Sequence, residues 1–189
     1  MALAATDDAK IVMFRQKNDR QEHFAIIVGS EDYSEPPLVR LHSQCVTGDV
    51  LGSLKCDCGP QLQTALAMMR EAGSGVLLYL AQEGRDIGLL NKIRAYSLQD
   101  KGLDTVEANH SLGFETDERL FGPAAAMLKA LGLTKLKLLT NNPDKIARLE
   151  AHGIDVCARI GLDLPANPHN ADYLRTKAKR TGHLIKPRS

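Results

Sequence analysis

Between residues 60 and 160 the chain alternates short apolar runs with punctuated amphipathic segments, a pattern that restricts its fold to strands and helices taken in turn. VLLYL at 76–80, KLKLLT at 135–140 and IDVCARI at 154–160 read as buried strands. PQLQTALAMMREA predicts a helix near 60–72 that opens on a proline and closes at Gly73. Further helices are expected near 88–101 and near 117–131, the second ending at Gly132. NNPDKIARLEAHG carries an Asn N-cap, Pro143 at its first helical position and a terminal glycine. Upstream, KIVMF at 10–14, HFAIIVG at 23–29 and PLVRLH at 37–42 read as strands, separated by polar turns at 16–22 and 30–36. The expectation is one α/β domain over 1–189, with a mixed sheet, an antiparallel N-terminal section and flanking helices. Residues 102–116 show no period and read as an irregular loop. A basic, polar tail over about 161–189 holds a helix near 170–181.

Composition excludes several partners. Of 189 residues, 43% are hydrophobic and 25% charged, and the net charge is +1, which argues against a broad nucleic-acid or membrane surface. With no Trp and 4% aromatics, a base-stacking platform is not expected either. No apolar run reaches the length of a membrane span, and the opening MALAATDDAK lacks the apolar core of a signal peptide. With cysteines that read as reduced, the cytoplasm is the expected compartment.

Cys45, Cys56 and Cys58 lie together in HSQCVTGDVLGSLKCDCGPQ, whereas Cys157 is about a hundred residues downstream. Three protein ligands with an open fourth position mark a catalytic zinc, and four mark a structural one. His42 is near enough in sequence to close the shell, so the trio alone leaves both kinds of site open. A disulfide fits less well, because Cys56 and Cys58 are too close for relaxed geometry. CDC is not CxxC and no HxE precedes it, which sets aside a nucleobase deaminase.

Ligands of α/β sheets gather beyond the carboxyl ends of strands. Here PLVRLH ends at the cysteine loop, VLLYL at QEGR, and KLKLLT at TNNPDK. Arg40, Arg85 and Lys145 in these loops, with Arg94 and Arg119 on the following helices, are candidates for an anionic ligand. The helix start after Asn142 adds free N–H groups. Neither GxxxxGK[ST] nor GxGxxG occurs, so a P-loop or Rossmann turn is not expected. Asp117, in Asp117-Glu118-Arg119, reads either as a helix-capping residue or as a carboxylate near the metal. His110 is a candidate ligand or proton carrier, and Tyr96 either packs in the core or turns its hydroxyl toward the site.

The strings RLHSQCVTGDVLGSLKCDCG, QEGRDIGLLNKIRAY, DTVEANHSLGF, DER and LLTNNPDK, with the tail NADYLRTKAKRTGHL, resemble GTP cyclohydrolase II of riboflavin biosynthesis. The likeness runs in order from about residue 23 to 184. It implies a cytoplasmic homodimer dependent on Zn2+, one per subunit, and on Mg2+. Such an enzyme is a hydrolase of cyclic amidine C–N bonds that opens the imidazole ring of GTP. It releases formate and pyrophosphate and leaves 2,5-diamino-6-(ribosylamino)pyrimidin-4-one 5′-phosphate. By resemblance Cys45, Cys56 and Cys58 are the zinc ligands. Arg40, Leu41, His42, Ser43, Gln44, Gln61, Glu83, Gly84, Arg85, Thr105, Thr140 and Lys145 are the GTP contacts. Asp117 matches the family's proton acceptor, Arg119 its proposed nucleophile toward the α-phosphorus, and Tyr96 an active-site tyrosine.

Zinc held by thiolates activates water near neutral pH, and Mg2+ with Arg and Lys neutralises a transferring phosphoryl group. A protonated guanidinium has no free lone pair, so an electrostatic role for Arg119 sits better with its chemistry than a covalent one. Two departures stand out. Gln44 replaces a glutamate common in the family. The chain also reaches KIVMF without the usual Leu-Pro-Thr segment, as either a trimmed chain or a domain cut from a fusion with a dihydroxybutanone phosphate synthase would. Two alternatives share these residues: a paralogue stopping at the formylated intermediate, and a non-catalytic zinc-stabilised nucleotide-binding module.

Overall fold

A computed structural model describes residues 1–15 and 21–184. Six strands form one sheet: β1 (Ala9–Arg15), β2 (Glu22–Gly29), β3 (Leu38–Ser43), β4 (Ser74–Leu80), β5 (Lys135–Leu139) and β6 (Asp155–Ile160). Their spatial order is β1-β2-β4-β3-β5-β6. The β1/β2 and β2/β4 pairs are antiparallel, and β4/β3, β3/β5 and β5/β6 are parallel. The sheet is therefore mixed, with its antiparallel section at the N-terminal side as the sequence predicts. Of the expected turn at 16–22, residues 16–20 lie outside the described residues, as do 185–189 of the tail.

Alternation along the strands explains the layering. Val76, Leu78 and Leu80 of β4 join Val39 and Leu41 of β3 in a core completed by Ala124 and Leu128 of α4 (Gly122–Ala130) and Leu149 of α5 (Pro143–Ala151). Leu77 and Ile26 point the other way, onto Ala65, Leu66 and Met69 of α1 (Cys58–Glu71). Strand β4 is buried on both faces, which is why SGVLLYL reads as a continuous apolar run rather than an alternation.

The connections diverge at β3. The link from β3 to β4 carries α1 on one face, and the link from β4 to β5 carries α4 on the other. The carboxyl ends of three adjacent parallel strands thus open on one crevice at a topological switch point.

Three expectations need correction. Residues 102–116 are not all irregular, because Thr105–Ser111 form a helix, α3. Its cause is a capping box: Asp104 accepts from the N–H groups of Val106 and Glu107, and Glu107 accepts from that of Asp104. The helix expected from 117 begins only at Gly122, with Pro123 in its first turn, so Asp117 caps nothing. Helix α1 starts at Cys58 rather than at Pro60, which sits within the first turn where its missing N–H costs nothing. Helices α2 (Gly88–Gln99) and α6 (Ala171–Arg180) fall where expected.

Candidate active site

The loops after β3, β4 and β5 enclose a cleft of about 460 Å³, closed on its remaining side by α6 and residues 181–183. At one end the Sγ atoms of Cys45, Cys56 and Cys58 all lie within 4.8 Å of one another. Cys45 precedes a π-helical turn, Val46–Val50, and Cys58 opens α1, so loop and helix bring the thiols together. Two glycines make the approach possible. A Cβ on Gly48 would stand 2.8 Å from Cys56 Sγ and 3.1 Å from Cys45 Sγ, and one on Gly59 would meet Gly48 O at 2.3 Å.

A buried carboxylate fixes this loop. Asp49 accepts from the Cys45 N–H at 3.0 Å, from Tyr79 Oη at 2.8 Å and from His42 Nε2 at 3.0 Å. His42 is thereby held by Asp49 and does not close the sulfur cluster as a fourth ligand. Burial outweighs the Asp49 contact and lowers the pKa of its imidazole. On the opposite side, Lys92 Nζ lies 3.0 Å from Cys45 Sγ and 2.8 Å from Glu83 Oε1. The other oxygen of Glu83 accepts from Val46 N–H at 2.7 Å. Hydrogen bonds from Cys56 and Cys58, and then the Lys92 ammonium, push the Cys45 thiol far down, while sharing with Cys45 pushes Cys58 up. Three thiols converging beside one ammonium offer the soft donor set that suits a divalent cation such as Zn2+.

Much of the remaining lining is cationic. Arg40 donates to Leu139 O at 3.0 Å and to Gln61 Oε1. Burial lowers its pKa to about 10, leaving it charged at neutral pH. Arg85 donates to Thr116 O, and Lys145 to Leu41 O at 2.8 Å. None of these four bonds is to a carboxylate. Burial, then the like charges of Arg40 and Arg119, press Lys145 well below its ordinary pKa. Arg119 forms a fork on Asp117, with Nε at 2.8 Å and Nη2 at 2.5 Å, and reaches Ser43 Oγ at 3.3 Å. Burial raises the Asp117 pKa, but Arg119 more than reverses this and holds the carboxyl below its usual range. The turn carrying Glu83 and Arg85 is strained, with Gly84, Arg85 and Asp86 at φ of 64°, 63° and 75°.

Ser43, Gln44, Gln61, Gly84, Thr105 and Thr140 line the same cleft. So does Tyr96, whose phenol burial raises to a pKa of about 12. Leu41 does not present its side chain, which is 1% exposed in the core, and only its carbonyl serves the site through Lys145. Arg94 pairs with Asn91 on the exposed face of α2, and exposed His110 bonds Thr116, so neither belongs to the lining. The sequence reading missed Asp49, Lys92, Tyr173, Lys177 and His183. Lys92 had a legible signal, since it falls one turn before Tyr96 on α2. The others depend on how α6 and β4 dock.

The sequence model of GTP cyclohydrolase II matches residues 1–161, and the chain belongs to that family. It is 56% identical over 183 residues to the GTP cyclohydrolase-2 of Azospirillum brasilense, covering 97% of this chain and 48% of that protein. It is 49% identical to the riboflavin biosynthesis protein RibBA of Cytophaga hutchinsonii, covering 94% and 44%, and 56% identical to the RibBA of Bacillus mycoides, covering 88% and 42%. The chain thus spans less than half the length of these relatives.

Proposed function

We propose that this chain binds GTP in the cleft and hydrolyses its imidazole ring, releasing formate and pyrophosphate and leaving the diaminopyrimidinone ribosyl 5′-phosphate. One observation carries the reading: a largely buried three-thiol cluster and a set of cationic side chains hydrogen-bonded to no carboxylate line a single cleft. Family membership supports it.

In this reading Cys45, Cys56 and Cys58 hold one Zn2+, which supplies a Lewis acid that makes water nucleophilic near neutral pH. Asp49 and Lys92 fix the thiolates, Lys92 by balancing their charge. Arg40, Arg85 and Lys145 hold the phosphates, and Mg2+ arrives with the triphosphate. An anion bound beside Lys145 would favour its charged form, offsetting the burial that lowers its pKa. Gln61, Glu83, Gly84, Thr105 and Thr140, with Ser43, Gln44 and His42 beside them, shape the remainder of the nucleotide pocket. Tyr96 offers a protonated phenol beside the thiols. Asp117, forked by Arg119 and depressed in pKa, orients that guanidinium, which stabilises charge on the α-phosphate without forming a bond to it.

Exposed Val50, Leu51 and Leu54 on the cysteine loop, and Leu89, Leu90 and Ile93 on α2, are the kind of surface a homodimer would bury. Among the described residues no helix is long and apolar enough to cross a membrane, and a cytoplasmic setting accords with reduced thiols. The test is incubation with GTP, Mg2+ and Zn2+, following formate and pyrophosphate separately. Both products should appear in equal amounts. Pyrophosphate without formate would indicate a paralogue that stops at the formylated intermediate, and neither product would leave a binding module.

A further inference from the structure

The family match stops at residue 161, yet α6 and the turn after it form a wall of the cleft. Their docking is specific. Lys177 Nζ donates to Asp57 Oδ1 at 2.7 Å and lies 4.6 Å from the centre of the Tyr173 ring. Asp57 sits between Cys56 and Cys58, and its other oxygen accepts from Gln61 Nε2 at 2.5 Å. Gln61 in turn accepts from Arg40. A continuous hydrogen-bonded chain therefore runs from α6 through the cysteine loop to Arg40 on β3. The carbonyl of Lys177 accepts from Thr181 Oγ1 at 2.8 Å and from His183 N–H, while Leu184 N–H reaches Asn141 O at 2.7 Å, tying the wall to the loop after β5.

Lys177 carries three N–H donors, and the Asp57 bond uses one. Its charge is felt across the cleft, where it adds to Arg40 and Arg119 in disfavouring protonation of Lys145, and where with Lys145 it lowers His183. These groups come from four separate elements and converge on one volume, an arrangement that costs free energy until an anion enters it.

We propose that Lys177 is a ligand-binding residue of this site, a cation delivered by α6 that donates to a phosphate oxygen of the bound nucleotide while Asp57 holds its ammonium in place. The proposal rests on reading the cleft as a GTP site. The experiment is titration calorimetry of the zinc-loaded protein with α,β-methylene-GTP and, separately, with guanosine, for the unmodified chain, Lys177→Met and Lys177→Arg. A lost charge-assisted hydrogen bond should weaken the nucleotide by about 10–100-fold in Lys177→Met, leave guanosine within about 2-fold, and be largely recovered in Lys177→Arg. Should the lone Asp57 charge unfold Lys177→Met, the double variant Asp57→Asn/Lys177→Met removes both charges and is read the same way. Unaltered nucleotide binding, or a parallel loss of nucleotide and guanosine, would overturn the assignment and leave Lys177 a fold-supporting residue. An unmodified chain that binds neither ligand would instead overturn the GTP reading, and this extension with it.

Discussion

Gly48 gives the sharpest structural test of the thiol cluster. Adding one methyl group there, Gly48→Ala, places a Cβ 2.8 Å from Cys56 Sγ, 3.0 Å from Cys58 Cβ and 3.1 Å from Cys45 Sγ. Ordinary contact begins at 3.4 Å, so Cys56 Sγ must retreat by about 0.6 Å, and the Gly59 backbone packed behind the turn limits where the loop can go. Zinc–sulfur bonds near about 2.3 Å tolerate only about 0.2 Å of adjustment, so the three sulfurs can no longer converge on one ion. Overpacking alone should cost about 1–3 kcal/mol of stability. The larger effect is on metal: zinc affinity, measured by competition with a chromogenic chelator, should fall at least about 100-fold, and the rise in Tm on adding Zn2+ should vanish. Gly122→Ala, where a Cβ meets nothing closer than 3.7 Å, is the control and should bind zinc normally. A Gly48→Ala protein with full zinc affinity would refute the claim that these sulfurs share an ion.

Other outcomes follow from the same geometry. Cys56→Ser should abolish formate release while circular dichroism reports a folded chain, and retained ring opening would remove Cys56 from the chemistry. Arg119→Ala should depress pyrophosphate release by at least about 100-fold, more than it depresses formate release. Mass spectrometry under single-turnover conditions should find no phosphorylated unmodified enzyme, and a phosphoenzyme would reinstate a covalent role. His183 has a pKa lowered to about 4 from 6.5, by burial first and then by Lys177 and Lys145. The unfolded chain therefore binds the extra proton between those values, so stability is complete above pH 6.5 and is lost on acidification toward about 4, by at most about 3 kcal/mol. His183→Gln should flatten the fall in Tm across that window, and an unchanged slope would contradict the assignment.

Much of the architecture was legible because β4 and β5 are uninterrupted apolar runs and α5 has Asn142, Pro143 and Gly153 as punctuation. Loop helices were harder. The Asp104–Glu107 capping box is a local signal, yet α3 spans only Thr105–Ser111, too short for a periodic stripe to stand out. Asp117 resembled a helix start because acidic residues favour first turns, but its side chain is engaged by Arg119 instead. At the site, the motif-bearing loops identified the thiols and most of the cleft lining. Leu41 shows the limit of carrying a motif over whole, since alternation in β3 turns its side chain into the core between Arg40 and His42, which line the cleft. Lys177 was invisible for a different reason. Its partner Asp57 is 120 residues away, and a basic helix at a chain's end reads as solvated until its docking is known.

The central claim is that a metal held by Cys45, Cys56 and Cys58 drives ring opening on a nucleotide bound in the adjoining cationic cleft. Stripping zinc with a chelator, confirming retention of the fold by circular dichroism, and then assaying formate and pyrophosphate from GTP and Mg2+ before and after restoring Zn2+ tests it directly. The account predicts no formate from the stripped protein and full recovery as one equivalent of Zn2+ per chain is returned. Undiminished formate release from protein shown to be zinc-free would contradict it.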